Sequence, residues 1–191
     1  MGKIVVTAFV TLDGVIQAPG LPDEDRDGGF AHGGWTQPYV DPELERRFTR
    51  NVLAADALLI GRRTYDLFAS FWPTASPEDP RAHQLNTQPK YVASHTLTKA
   101  KWDNTTVLGG DLVDAVIGLK RRYDEISVWG SGTLVPLLLR HDLIDEFLLM
   151  LHPIVLGEGK RLFPEGHQTT FNLVESTTTS RGVTILGYRR P

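Results

Sequence analysis

Residues 57–65 read ALLIGRRTY, residues 126–134 read ISVWGSGTL and residues 153–159 read PIVLGEG, and these three glycine-marked segments decide the fold. In the first two, an apolar run typical of a buried strand stops at glycine and a helical pattern begins. This geometry directs backbone N–H groups and a helix dipole at the carboxyl edge of the sheet, where an anion is the natural occupant. Because the first segment also carries Arg62 and Arg63, the sequence predicts a cofactor that contains a pyrophosphate.

Size and composition restrict the class of protein. The chain has 191 residues, of which 41% are hydrophobic, so we expect one domain over residues 1–191. The net charge of −3 provides no positive electrostatic potential that would attract nucleic acid or acidic membranes. Zero cysteines exclude disulfides and thiolate metal sites. The N-terminal residues lack the pattern of a secretion signal and no apolar run approaches the ~20 residues of a membrane span, so we expect a cytoplasmic protein.

Apolar periodicity divides the chain into alternating strands and helices. Leu44, Phe48 and Val52 recur at helical spacing, preceded by Asp41 as N-cap and Pro42 at the first position. The alternation implies a mostly parallel central sheet, to which a C-terminal hairpin adds antiparallel strands. The predicted strands cover 4–9, 57–60, 91–93, 105–108, 126–129, 145–151, 170–178 and 183–189, the predicted helices include 42–53, 112–122 and 133–140, and residues 73–89 are predicted to be a surface loop.

Several motif-like segments fail on spacing. Residues 23–28 (DEDRDG) resemble the first half of a calcium loop, but Gly34 stands where the bidentate glutamate is required. Residues 130–132 lack the flanking glycines of a nucleophile elbow, and residues 157–160 lack the spacing of a P-loop. The histidines show no metal-ligand spacing, so we predict no metal.

The chain resembles the dihydrofolate reductase-like family, in the branch of the C-terminal reductase domain of the bifunctional riboflavin-biosynthesis deaminase/reductase. The resemblance covers nearly the whole chain and implies a three-layer α/β/α fold. The order and spacing of the matching motifs are together more specific than any one motif. It is carried by residues 11–14 (TLDG), 61–65 (GRRTY), 130–132 (GSG), 143–147 (LIDEF), 153–159 (PIVLGEG) and 162–163 (LF).

The resemblance implies NADPH as the cofactor. In the family, the turn after the second strand contacts the pyrophosphate, the end of the next strand holds the 2′-phosphate, and the glycine-rich helix start faces the pyrophosphate and the nicotinamide ribose. Either arginine of the first turn could instead pair with a surface carboxylate. No acidic residue in 91–95 could hold a free ribose 2′-hydroxyl, so NADPH is predicted to bind better than NADH. By position, the implied residues are Gly61, Arg62, Arg63 and Thr64, then Ser94 and His95, then Gly130, Ser131, Gly132, Thr133 and Leu134.

The implied chemistry is hydride transfer to a small planar heterocycle, as in the 5-amino-6-(5-phosphoribosylamino)uracil reductase of riboflavin biosynthesis. Glu45 and Asp13 are the candidate catalytic acids. Glu45 could equally be a solvated helix residue, Asp13 could cap a tight turn, and a bound water could deliver the proton instead. Dihydrofolate reduction and a non-catalytic nucleotide-binding role are the alternatives.

Two tryptophans are the predicted substrate contacts. Trp129 stands where the riboflavin-pathway reductases carry a glutamate, and it can stack on a planar substrate but cannot accept a hydrogen bond. Trp35 lies in the glycine-rich loop 17–42, which is predicted to cover the site. The run at 147–151 is apolar on both faces, which fits a buried central strand or the interface of a homodimer.

Overall fold

A computed structural model describes residues 1–163 and 165–191, and its centre is a mixed sheet of eight strands. Strands one to six of the chain pair with one another in parallel, and the eighth strand pairs antiparallel with both the sixth and the seventh. This confirms the predicted sheet and hairpin. The strands are β1 (Lys3–Thr11), β2 (Ala57–Gly61), β3 (Lys90–Ala93), β4 (Thr105–Leu108), β5 (Glu125–Trp129), β6 (Glu146–His152), β7 (Asn172–Thr178) and β8 (Thr184–Arg189), in the order β4-β3-β2-β5-β1-β6-β8-β7.

Helices cover both faces of the sheet. The helices are α1 (Pro42–Ala54), α2 (Arg62–Phe71), α3 (Pro80–Thr87), α4 (Leu112–Arg122) and α5 (Leu134–Arg140). The first three pack on one face through residues such as Val52, Tyr65 and Leu85. The last two bury Val116 and Leu138 against the other face. The result is the predicted three-layer α/β/α arrangement.

The prediction that residues 73–89 form only a surface loop was wrong, because Pro80–Thr87 is a helix. The Asp79 side chain accepts a hydrogen bond from Arg81 N, and Pro80 takes the first helical turn. Only Ala82 and Leu85 of this helix are buried. Two apolar positions are too few for a periodicity signal, although the Asp-Pro pair is itself a typical helix start.

Strand β6 is an interior strand, since it pairs with β1 on one side and β8 on the other. Its two apolar faces therefore pack within the protein, and the homodimer stays a prediction. Among the helices of the described residues, none is long and apolar enough to cross a membrane.

Candidate functional site

The first two glycine segments meet at the carboxyl edge of the sheet, because β2 and β5 are neighbouring parallel strands. Gly61 N donates a hydrogen bond of 2.8 Å to Ser131 Oγ, and Thr64 Oγ1 lies 3.3 Å from the same oxygen. A Cβ atom on Gly61 would lie only 2.9 Å from Ser131 Oγ. Glycine is therefore required for this approach, and the two segments form one structure that we call the junction.

The helices that begin at the junction differ from the others at their N-termini. Asp41, Asp79 and Asp111 cap α1, α3 and α4 through their side chains. No side chain of the described residues caps α2 or α5. Gly130 (φ 54°) and Ser131 (φ 73°) both take left-handed backbone conformations just before α5. Backbone N–H groups at the two uncapped ends are therefore of the kind that can bind an anion.

The two arginines of the first segment point to different partners. Arg62 Nε donates to Asp66 at 2.8 Å, one turn further along α2. Arg63 forms ion pairs with Asp25 and Asp27, in the loop between β1 and α1. Both arginines thus pair with carboxylates, as the alternative interpretation of the sequence allowed.

Ser94 and His95 follow β3 at the same edge, because the register pairs Gly61 with Ala93. Ser94 Oγ accepts hydrogen bonds from Thr96 N and Leu97 N, at 3.2 and 3.0 Å. The hydroxyl thus shapes the turn that follows the strand. His95 is exposed. The structure places this pair one strand away from the junction.

Aromatic side chains form a second feature beside the junction, between α1 and the sheet. Phe9 of β1 is half-buried and stacks on Phe48 of α1, with ring centroids 6.2 Å apart. Trp129 meets Phe48 edge-on at 4.8 Å, and Trp35 packs in the cluster on the other side of Phe9. The structure therefore brings both predicted tryptophans into one cluster, and adds Phe9 and Phe48, which the sequence analysis missed.

His152 is a further residue that the sequence analysis missed. It ends β6, is fully buried, and meets the rings of Trp35, Tyr39 and Phe9 edge-on at centroid distances of 5.1, 5.5 and 5.8 Å. Its Nδ1 lies 2.8 Å from the carbonyl oxygen of Met150, which makes Nδ1 the protonated nitrogen. Burial lowers the pKa of His152, so the ring is neutral at pH 7.

The other nitrogen of this ring, Nε2, is a buried acceptor without a partner among residues 1–163 and 165–191. A buried acceptor without a hydrogen-bond donor lowers the stability of the folded state by ~1–3 kcal/mol, so its presence calls for an explanation. A histidine that ends an otherwise apolar strand is the signal that could have found it.

Asp13 holds the end of β1 against the third glycine segment. Its carboxylate accepts hydrogen bonds from Thr11 Oγ1 (2.6 Å), Gly157 N (2.8 Å) and Leu156 N (3.2 Å). The Thr11 hydroxyl contributes most to a pKa of about 2 for Asp13. At neutral pH the carboxyl group is therefore ionised, and its contacts are those of a loop anchor.

Glu45 lies at the surface, where α1 meets α3. Its half-exposed carboxylate accepts a hydrogen bond of 2.8 Å from Arg81 Nη1 on α3. The residues of α1 that face the sheet include Leu44, Phe48 and Val52. The structure thus gives Glu45 a surface ion pair, and no contact brings it to Asp13 or the junction.

Comparisons with known proteins match nearly the whole chain. The family model for the RibD C-terminal domain matches residues 2–185. Uncharacterized protein YyaP of Bacillus subtilis (strain 168) is 30% identical over 194 residues, which cover 97% of this chain and 94% of YyaP. The crystal structure of a presumed riboflavin biosynthesis protein from Shewanella sp. PV-4 covers 99% of both chains at 27% identity, with a TM-score of 0.77.

A second solved structure, a pyrimidine reductase-like protein from Corynebacterium diphtheriae, has a TM-score of 0.64. It covers 98% of this chain and 91% of its own, at 13% identity, and this likeness shows the fold alone.

Proposed function

The chain belongs to the family of the RibD C-terminal domain, as the resemblance predicted, and from this premise we propose that it is an NADPH-dependent reductase of a small planar heterocycle. One observation carries the proposal. The neighbouring strands β2 and β5 each lead into a helix without a side-chain N-cap, at the hydrogen bond between Gly61 and Ser131 and beside an aromatic cluster. When bound, NADPH supplies the hydride, so the protein has to bind both molecules, orient them and manage the proton.

The proposed cofactor contacts follow the edge of the sheet. The N–H groups at the start of α2 and α5 face the pyrophosphate, together with the side chains of Arg62, Arg63 and Thr64. Ser94 and His95 take the 2′-phosphate side of the adenosine. The Gly130–Leu134 segment also faces the nicotinamide ribose.

The proposed substrate contacts are the aromatic rings and His152. The half-buried Phe9 and Phe48 offer apolar surface to a flat ring, and the buried Trp129 and Trp35 pack behind them. The unpaired Nε2 of His152 is enclosed by the rings of Trp35, Tyr39 and Phe9, so it accepts a hydrogen bond from the substrate only when one of these rings moves aside. This combination supports a pyrimidine or pteridine as substrate, with the uracil reductase of riboflavin biosynthesis as the nearest known reaction.

We propose that water delivers the proton. Asp13 is ionised and engaged in three hydrogen bonds, and Glu45 is paired with Arg81. These contacts support a structural role for each carboxylate. Both residues stay testable as catalytic acids.

Titration with NADPH and NADH, followed by thermal unfolding, tests the proposal. A ligand at 100 times its Kd adds ~2.7 kcal/mol of stability, which raises Tm by about 5–10 °C for a protein of this size. Selective stabilisation by NADPH is the expected result, and reduction of pyrimidines, pteridines and dihydrofolate is then followed by the loss of NADPH absorbance. No response to either nucleotide would favour the non-catalytic alternative, and turnover of dihydrofolate alone would favour dihydrofolate reductase.

We also propose that the reductase works in the cytoplasm as a homodimer. The absence of cysteine suits a reducing compartment, and the family resemblance supports the dimer. Sedimentation equilibrium measures the assembly state directly, and a mass near 21.2 kDa at all concentrations would refute the dimer.

A further inference from the structure

Four charged side chains meet beside the junction. Asp25 and Asp27 of the loop between β1 and α1 each pair with both Arg63 and Lys160. Lys160 Nζ lies 2.7 Å from Asp25 Oδ2 and 2.8 Å from Asp27 Oδ2. We call these four residues the charge cluster. Two cations and two carboxylates make its formal charge zero, so the cations at this edge are neutralised from within the chain.

Lys160 comes to the junction from the third glycine segment. Its stem passes Gly132, where an added Cβ would lie 3.8 Å from Lys160 Cδ. Its backbone N–H donates a hydrogen bond of 2.9 Å to Gln17 Oε1. The ammonium group is therefore held next to the start of α5, where the phosphates of the cofactor are proposed to bind.

The acidic side of the cluster is also held in place. Gln17 is buried, and its Nε2 donates to the carbonyl oxygens of Asp25 (3.1 Å) and Asp27 (3.0 Å). The Asp25 side chain is only 12% exposed. The hydrogen bonds from Gln17 thus hold the backbone of the acidic segment where its carboxylates meet Arg63 and Lys160.

We infer that Lys160 is a phosphate ligand of the cofactor together with Arg63, and that Asp25 and Asp27 compete with the cofactor for these two cations. The inference rests on the proposed function, and it names a binding residue and an internal competitor for that same site. Two carboxylates carry the same formal charge as a pyrophosphate diester, and they contact the same donors. Binding of the cofactor therefore exchanges one pair of negative charges for another.

Gln17 is an anchor that the acidic segment shares with the aromatic cluster. Trp35 Nε1 donates 2.8 Å to the carbonyl oxygen of Gln17, whose side chain holds the acidic segment. The bonds from Gln17 go to the backbone of Asp25 and Asp27, so they do not depend on the contacts of the two carboxylates.

Removal of the competing charges is the first arm of the test. Asp25→Asn/Asp27→Asn keeps the size and one acceptor oxygen of each side chain but removes both charges. NADPH is expected to bind about tenfold more tightly to this double variant, which corresponds to ~1.4 kcal/mol. Asp23→Asn is the matched control, because Asp23 lies on the same loop and pairs with Arg26 instead. Calorimetric Kd values at one fixed ionic strength make the comparison.

Removal of Lys160 is the second arm. Lys160→Met in the Asp25→Asn/Asp27→Asn background is expected to weaken NADPH at least tenfold, whereas Arg26→Met leaves the affinity unchanged. Inorganic pyrophosphate is titrated in parallel, since it probes the cations without the rest of the cofactor. Thermal unfolding of each variant without ligand shows that it is folded.

The outcomes separate this inference from the proposed function. If wild type binds NADPH but the double variant binds it equally or more weakly, the competition is refuted. An unchanged affinity after loss of Lys160 refutes its role as a ligand. If no form binds NADPH, the proposed function fails. The titration with inorganic pyrophosphate then tests the inference without NADPH. Pyrophosphate binding that requires Lys160 and becomes tighter in the Asp25→Asn/Asp27→Asn variant supports the anion site. Absence of such binding refutes the inference.

Discussion

The close approach of Gly61 to Ser131 makes Gly61→Ala a sharp test of the junction. The φ of Gly61 is −78°, which alanine adopts without strain. The new Cβ would lie 2.9 Å from Ser131 Oγ and 3.3 Å from Ser131 Cβ, so any cost comes from the clash itself. Because Ser131 provides the obstructing atoms, Ser131→Gly should relieve most of that cost.

The magnitudes follow from the same contacts. Overpacking costs ~1–3 kcal/mol, and a displaced Ser131 also loses part of its hydrogen bond from Gly61 N, worth ~0.5–1.5 kcal/mol. At about 2 kcal/mol in total, Tm falls by about 4–8 °C in a protein of this length. Ser131→Gly loses the same bond but releases a left-handed serine (φ 73°), which stores ~1 kcal/mol or more. The double variant should therefore exceed Gly61→Ala in stability by at least ~1 kcal/mol.

A double-mutant cycle measures this coupling. Wild type, the two single variants and the double variant are unfolded by heat and by urea, and each is titrated with NADPH. Gly61→Ala should bind NADPH more weakly, because it displaces Ser131 in the segment that leads into α5. If the two changes add within ~0.5 kcal/mol, or if Gly61→Ala is as stable as wild type, the two segments do not form one junction.

Five other predictions concern single side chains. Glu45→Gln should keep full turnover of the substrate found by screening, because Glu45 forms a surface ion pair. Asp13→Asn should lower both stability and turnover, and its stability loss relative to wild type should shrink as pH falls below about 4, since protonation of the wild-type carboxyl group weakens the same anchor. His95→Ala should reduce the preference for NADPH over NADH. His152→Leu should raise KM more than His152→Gln, which keeps an acceptor. Burial lowers the pKa of Lys90 to about 8, so the stability of wild type relative to Lys90→Met should rise between pH 8 and 10.5, where the unfolded chain binds the proton more tightly.

Each of these predictions can fail separately. Lost turnover with unchanged NADPH affinity in Glu45→Gln would restore Glu45 as the acid. The same result in Asp13→Asn, without loss of stability, would restore Asp13. Equal preference for the two nucleotides in wild type would remove the role of His95. Equal KM values for the two His152 variants, or a pH-independent stability difference for Lys90→Met, would contradict the burial arguments for these side chains.

Most of the fold could be predicted because its signals are local. The apolar runs at 57–60 and 126–129 are buried strands, and Asp41 and Asp111 cap the helices as expected. These signals depend on the character of a few neighbouring residues, which the sequence shows directly. Helix α3 escaped because only two of its side chains are buried, so tertiary contact and not periodicity stabilises it.

The site was predictable in part for the same reason. The glycine segments and the two tryptophans carry local signals, and the structure brings them to one edge of the sheet. Lys160 carries no such signal and His152 carries only its place at the end of an apolar strand, because each makes its contacts with residues more than a hundred positions away in the chain.

By itself, the sequence determined the family, the order of the strands and of every helix but α3, and the glycines at which β2 and β5 end. Backbone preference and apolar periodicity act over a few residues, so these features are written in short segments. Only the tertiary structure decided which charged and aromatic side chains meet: Arg63 and Lys160 on Asp25 and Asp27, and His152 among its rings. Such pairings depend on the register of the sheet and the path of the long loop, which no local pattern specifies.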